Sequence, residues 1–165
     1  MPYAPVLTTL AYVVRGEEVL LVHRTFREDD AAHGKFNGLG GKVEPDEDVV
    51  AGLRRELREE AGLEVTSWVL RGTVSFPGLG AGEESELAMV FVVDGFAGEP
   101  PPSNEEGPLH WVPRDRLGEL PMWEGDLFWL PHVFDPTVGQ FHGVLPYRDG
   151  HPTGWSVSIQ PAGTG

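Results

Sequence analysis

Between Gly41 and Leu63 the chain sets four carboxylates (Glu47, Glu56, Glu59, Glu60), one arginine (Arg55) and two glycines (Gly41, Gly62) at fixed offsets. At about 100° per residue, Glu56, Glu59 and Glu60 fall within an arc of roughly 100° on one helix face. Like charges three and four residues apart destabilise a helix by a few tenths of a kcal/mol, so acids packed this closely call for a cation. Hard oxygen ligands in that number suit Mg²⁺ or Mn²⁺. An ion held by a few carboxylates keeps open positions that phosphate oxygens can take, and the chemistry suggested is that of a metal-bound pyrophosphate.

Those acids need a helix that can show them to a cleft. Val50, Leu53 and Leu57 form a separate apolar arc that can dock on a core. Pro45 and Asp46 are suitable helix-start residues, and Gly62 supplies a left-handed stop. Gly40-Gly41 before the helix suggests a tight loop whose backbone approaches a metal or phosphate closely. An isolated E-x-x-E-E is usually a solvated, salt-bridged face; it is the flanking glycines that point beyond that reading.

The 165 residues are the length of one domain, 1–165. With 26 acidic against 12 basic side chains the formal charge is −14, which disfavours capture of a nucleic-acid polymer or an anionic membrane. A small nucleotide carrying its own Mg²⁺ remains acceptable. The sequence has no secretory signal and no run long enough to span a bilayer, so a cytoplasmic protein is expected. With no cysteine, disulfides, thiolate catalysis and Cys-ligated zinc are excluded.

Leu7–Val14 and Val19–His23 suggest a hairpin turning at Arg15-Gly16-Glu17-Glu18, and residues 24–35 a polar loop. After the helix, Val65–Ser75 and Leu87–Val93 suggest two longer strands joined by a glycine-rich, acidic loop, Pro77–Glu86, expected to be mobile. A Pro-rich connection leads to Leu109–Val112 and a second helical stretch from Arg114 to Leu117 and beyond. Gln140–Tyr147 and Trp155–Ile159 supply a last strand pair, with the final Gly/Pro/Thr residues expected to be disordered. The sum is an α/β fold with a mixed sheet flanked by helices.

The segment 41–63 matches the Nudix box, G-x5-E-x7-R-E-U-x-E-E-x-G-U, at every specified position. Beyond the box, Lys35-Phe36-Asn37-Gly38-Leu39-Gly40-Gly41-Lys42-Val43 is similar to the W-N-G-x-G-G-K-V of MutT-like Nudix hydrolases, with Phe for Trp. Pro121-Met122-Trp123-Glu124-Gly125-Asp126, Trp129-Leu130-Pro131 and Phe141-His142-Gly143 resemble the corresponding series of the 8-oxo-dGTP diphosphatases and related oxidised purine nucleoside triphosphatases. The resemblance implies the Nudix α/β/α sandwich. It also implies metal ligands at Glu56, Glu59, Glu60, the Gly40 carbonyl and Glu106, with Glu105 the rival for the last, and an Arg55–Glu47 pair that orients them. For the nucleotide it implies Asn37 on the purine edge, Trp123 stacked on the ring and Asp126 reading it from the other side. Thr9, Arg24, Phe76, Gly41 and Lys42 follow as further contacts. One departure stands out: where relatives that read several oxidised purines carry paired aspartates, this chain has Gly125-Asp126.

By that resemblance the activity is Mg²⁺-dependent hydrolysis of oxidised purine nucleoside triphosphates to monophosphate and pyrophosphate by a monomer or homodimer. Glu59 and Glu106 are the candidates for the base. Alternatives are another nucleoside diphosphate-X substrate, such as ADP-ribose or a dinucleoside polyphosphate, and a nucleotide-sensing module without turnover. Asn37 could instead cap the Asn-Gly turn. His110 and His142 suit packing or hydrogen bonding, and Trp111 and Trp129 the core.

Overall fold

A computed structural model of the chain describes residues 2–80, 82 and 84–163. Two residues of the expected mobile loop, 81 and 83, and the last two of the tail lie outside the described residues.

Strands β1 (Val6–Arg15) and β2 (Glu18–His23) form the expected hairpin around Gly16, but they pair only from Val13↔Leu20 to Arg15↔Glu18. Beyond that point they part, and the segment after the polar loop enters the gap. Here β3 (Phe36–Asn37) pairs with β2 and β4 (Leu39–Lys42) with β1. The sequence suggested a loop at Gly40-Gly41; the structure has a strand. Glycine is required there because a Cβ on Gly40 would strike the Thr9 carbonyl and its φ is +147°.

The chain continues through helix α1 (Val49–Ala61), β5 (Glu64–Phe76), β6 (Glu86–Ala97) and β7 (Leu109–Pro113). A 3₁₀ turn (Arg114–Glu119) and helix α2 (Asp126–Val133) precede β8 (Val138–Val144), the small β9 (Tyr147–Arg148) and β10 (His151–Pro152) pair, and β11 (Ser156–Pro161). Among the described residues nine strands form one sheet along β11-β8-β5-β6-β1-β2-β3, with β4 on β1 and β7 on β2. The β1/β6 and β5/β8 pairs are parallel and the others antiparallel, so the sheet is mixed.

Both faces of the central strands are covered, which explains why β1 and β2 carry continuous apolar runs. Ala11, Val13, Leu20, Val22, Phe91 and Val93 pack on one face with Leu53, Leu57 and Ala61 of α1. Tyr12, Val19, Leu21, Val74 and Phe141 pack on the other with Trp129, Leu130 and Val133 of α2. This is the expected α/β/α arrangement. Leu53 and Leu57 are fully buried, each contributing roughly 1.5–3 kcal/mol, whereas Val50 is half-buried.

Two boundaries differ from expectation. Helix α1 is capped by Asp48, whose Oδ1 accepts from the Val50 and Ala51 N–H groups at 2.9 and 2.8 Å, rather than starting at Pro45-Asp46. Gly62 ends it in the left-handed conformation, φ 64°, as expected. The helical stretch expected from Arg114 to Leu117 and beyond is a 3₁₀ helix, Arg114–Glu119, and the second α-helix, Asp126–Val133, follows it as a separate element. Its residues are apolar nearly all round, with Pro131 inside, so it lacks the alternation that marks an amphipathic helix. No helix of the described residues is long and apolar enough to cross a membrane.

Candidate active site

The site comprises an acidic cleft and a cavity, and β4 links them: Gly40 and Gly41 line the cavity and meet Glu60 and Glu56 of the cleft. On the cleft side Arg55 is the hub. Its Nε and Nη2 donate to the two oxygens of Glu47 at 2.7 and 3.0 Å, and Nη2 also donates to the Lys42 carbonyl at 3.0 Å. Its Nη1 donates to Glu56 at 3.0 Å and Glu59 at 3.3 Å. The pairing with Glu47 raises Arg55's affinity for its proton and, in turn, holds the Glu47 carboxyl below its ordinary value. A flat guanidinium satisfies this set of acceptors in a way an ammonium cannot.

Gly41 makes the close approach that its residue type allows: a Cβ there would sit 2.6 Å from Glu56 Oε1. Gly40 donates its N–H to Glu60 Oε2 at 3.0 Å. Burial pushes Glu60 up to about 8, and the neighbouring Glu106 and Glu56 charges add to the shift. The carboxylates therefore crowd one another as the sequence suggested. Glu56 is 13% exposed and Glu59 61%, so Glu59 reaches furthest into solvent.

The opposite wall is the turn 103–107. Glu106 is half-buried, 3.8 Å from Arg24 Nη2, while Glu105 is exposed. All five acids, Glu56, Glu59, Glu60, Glu105 and Glu106, line one cleft of about 620 Å³. Among the described residues no three acid or imidazole groups already stand close enough together to enclose an ion. Oxygen donors from both walls, and a carboxyl crowded by two others, are nevertheless a donor set that suits a hard divalent cation.

One residue of this cleft was not anticipated. Asn104 donates from Nδ2 to the Glu60 carbonyl at 3.2 Å, and its Oδ1 accepts from the Glu106 and Gly107 N–H groups at 2.9 and 3.3 Å. It ties the Glu106 turn to the end of α1. Its only sequence signal is Asn at the head of a Gly-containing turn.

Across β4 lies a cavity of about 320 Å³. Every residue that the resemblance implicated in holding the nucleotide lines it except Lys42: Thr9, Arg24, Asn37, Gly41, Phe76, Trp123 and Asp126. The Lys42 side chain is exposed and its charge acts on Glu86, another lining residue. Gly40 is in the lining too. The Lys35 ammonium sits 4.8 Å from the centre of the Trp123 ring, occupying one face of the indole. Burial pushes the Asp126 carboxyl up to about 7, against the Trp123 backbone and Lys35, which favour its charge. Phe36, the departure from Trp, stacks on His23 at 4.1 Å between ring centres. Tyr12, Glu86, Trp129 and Tyr147 also line the cavity, and sequence reasoning passed over them or assigned them to the core. Two buried atoms of this wall, Thr9 Oγ1 and Trp129 Nε1, have no partner among the described residues.

A sheet that parts to admit a glycine strand, with an acidic helix on one side and a polar cavity on the other, defines a Nudix protein. The NUDIX domain family matches residues 4–133, and the chain belongs to that family of hydrolases acting on phosphoric anhydride bonds. It is 36% identical over 145 residues to the oxidized purine nucleoside triphosphate hydrolase of Danio rerio, covering 88% of each chain. The protein of the same name in Mus musculus is 34% identical over 143 residues, 87% of each. Among solved structures it resembles the mutator MutT protein of Bacillus halodurans, with TM-score 0.79 and 26% identity over 92% of this chain and 97% of that one.

Proposed function

We propose that the protein is a Mg²⁺-dependent pyrophosphohydrolase of oxidised purine nucleoside triphosphates, releasing monophosphate and pyrophosphate and so clearing damaged nucleotides from the cytoplasmic pool. The observation that carries this reading is that Gly40 and Gly41 line the cavity and also meet Glu60 and Glu56: a base held by Asn37, Trp123 and Asp126 would send its phosphates past these glycines toward the acids of α1. The names of the zebrafish and mouse relatives, each similar over nearly nine-tenths of the chain, support the same substrate class. The chain acts as one domain in this reading, because β8 and β11, beyond the matched residues, extend the same sheet.

Glu56, Glu59, Glu60, Glu106 and the Gly40 carbonyl would hold the metal, with Mn²⁺ an acceptable substitute. When bound, the ion supplies Lewis acidity at the phosphate oxygens and lowers the pKa of water. Arg55 keeps Glu56 in place, and its Glu47 pair keeps the arginine in place. Glu59 is the acid with the most freedom to accept a water proton, and Glu106 is the other candidate from the facing wall. Trp123 offers a ring face for stacking, and Asn37 both a donor and an acceptor for the base edge.

The test is steady-state kcat/KM with Mg²⁺ for 8-oxo-dGTP, dGTP and ADP-ribose, with products identified. A preference of tenfold or more for 8-oxo-dGTP, about 1.4 kcal/mol, with pyrophosphate released, is the expected outcome. Better hydrolysis of ADP-ribose would overturn the substrate class and leave the anhydride chemistry standing.

A further inference from the structure

Gly125, at the start of α2, has no room for a side chain. A Cβ there would collide with the Tyr147 hydroxyl and would sit 2.5 Å from Leu145 Cδ2. The space beside Asp126 that a second acidic side chain would need is therefore filled by a phenol. Tyr147 is 8% exposed, lines the same cavity as Asp126 and packs its ring against Phe76, 6.3 Å between centres. Its backbone is pinned, with the Tyr147 N–H on the Pro77 carbonyl and the Leu145 N–H on the Ser75 carbonyl, both at 2.8 Å. The backbone that carries the phenol is thus fixed beside the end of β5, and the hydroxyl itself lies against the Gly125 backbone. Burial and the Asp126 charge push it up to about 12, so it keeps its proton at neutral pH and can donate.

We propose that Tyr147 is a specificity-determining residue: its hydroxyl donates to the 6-oxo group of a 2-amino-6-oxopurine while the two oxygens of the ionised Asp126 carboxylate accept from that base's N1–H and 2-amino group. This rests on the nucleotide reading above. The edge of an oxidised guanine presents acceptor, donor, donor in order, and a phenol O–H beside a carboxylate presents the complement, donor, acceptor, acceptor. An oxidised adenine with its 6-amino group and bare N1 would set donor against donor and acceptor against acceptor. A pocket built on buried hydrogen bonds rejects such an edge more strongly than an apolar one could, because its own groups are left unpaired.

The experiment compares 8-oxo-dGMP, 8-oxo-dIMP and 8-oxo-dAMP by tryptophan fluorescence titration without metal, for the wild type and Tyr147→Phe. It also measures kcat/KM for 8-oxo-dGTP and 8-oxo-dATP with Mg²⁺. The wild type is expected to bind 8-oxo-dGMP at least tenfold more tightly than 8-oxo-dAMP, with 8-oxo-dIMP between them because it lacks the 2-amino group. Tyr147→Phe is expected to weaken 8-oxo-dGMP about tenfold and 8-oxo-dAMP less than twofold, narrowing the ratio in kcat/KM as well. Equal weakening of both would assign Tyr147 a packing role only and overturn the inference, as would equal binding of both bases by the wild type. Should the variant fail to fold, the wild-type ladder of three bases decides. Base-selective binding without hydrolysis of either triphosphate would sink the hydrolase reading while the inference stood.

Discussion

Arg55 grips both oxygens of Glu47, at 2.7 and 3.0 Å, eight residues away along the chain. That fork joins the turn before α1 to the helix body, and its remaining donors reach Glu56, Glu59 and the Lys42 carbonyl. Arg55→Lys keeps the charge and loses the fork. The expected result is a 10–100-fold fall in Mg²⁺ affinity or kcat/KM, measured by metal titration of activity. Wild-type metal dependence in that variant would show the fork to be dispensable.

Glu60 sits on the acidic edge of α1 and accepts a hydrogen bond from the Gly40 N–H, which a glutamine oxygen can still accept. Glu60→Gln should lower Mg²⁺-dependent turnover by at least about a hundredfold, because a proposed ligand carboxylate is replaced by a neutral amide. Its unfolding temperature in EDTA should stay at or above that of the wild type. A clearly lower one would mean that Glu60 supports the fold.

Asp126 is raised to about 7, so its contribution to stability is fully present below about 4, the unfolded value, and is lost as pH rises through 7. Asp126→Asn removes that dependence. At pH 8.5 the variant should therefore unfold several degrees above the wild type, on the order of 1–2 kcal/mol after discounting for solvent in the cavity. At pH 4 and below the two should converge. Thermal unfolding across pH 4–9 measures both, and parallel curves would contradict the burial argument.

Arg71 anchors the far end of α2, donating to the carbonyls of His132, Val133, Asp135, Val138 and Gly139 at 2.8 to 3.3 Å. Arg71→Ala leaves those carbonyls without their charged donor. The expected loss is about 2–4 kcal/mol, read by urea unfolding. A loss under about 0.5 kcal/mol would mean that water replaces the guanidinium without cost.

Gly125→Ala tests the crowding beside Asp126. The added methyl must displace the Tyr147 hydroxyl or Leu145, a cost of about 1–3 kcal/mol by overpacking. The same variant should weaken 8-oxo-dGMP binding. Unchanged stability and binding would mean that the wall yields freely.

The sequence by itself determined the chemistry-bearing helix and the sheet that receives it. Glu56, Glu59 and Glu60 are near neighbours in one helix, where a fixed 100° step sets their relation, and Gly62 ends that helix by backbone conformation alone. The apolar runs of β1 and β2 on either side of Gly16 marked their hairpin. What only the tertiary structure decided were the relations between distant segments. That Gly40-Gly41 forms a strand follows from β1 and β2 parting, which no local pattern records. Helix α2 was hidden because residues buried beneath it and residues exposed above it are equally apolar. Asn104 bridges 44 positions to Glu60, and Tyr147 meets Gly125 across the return of the chain from β8. Such contacts depend on where the folded backbone brings side chains, and residue spacing carries no trace of them.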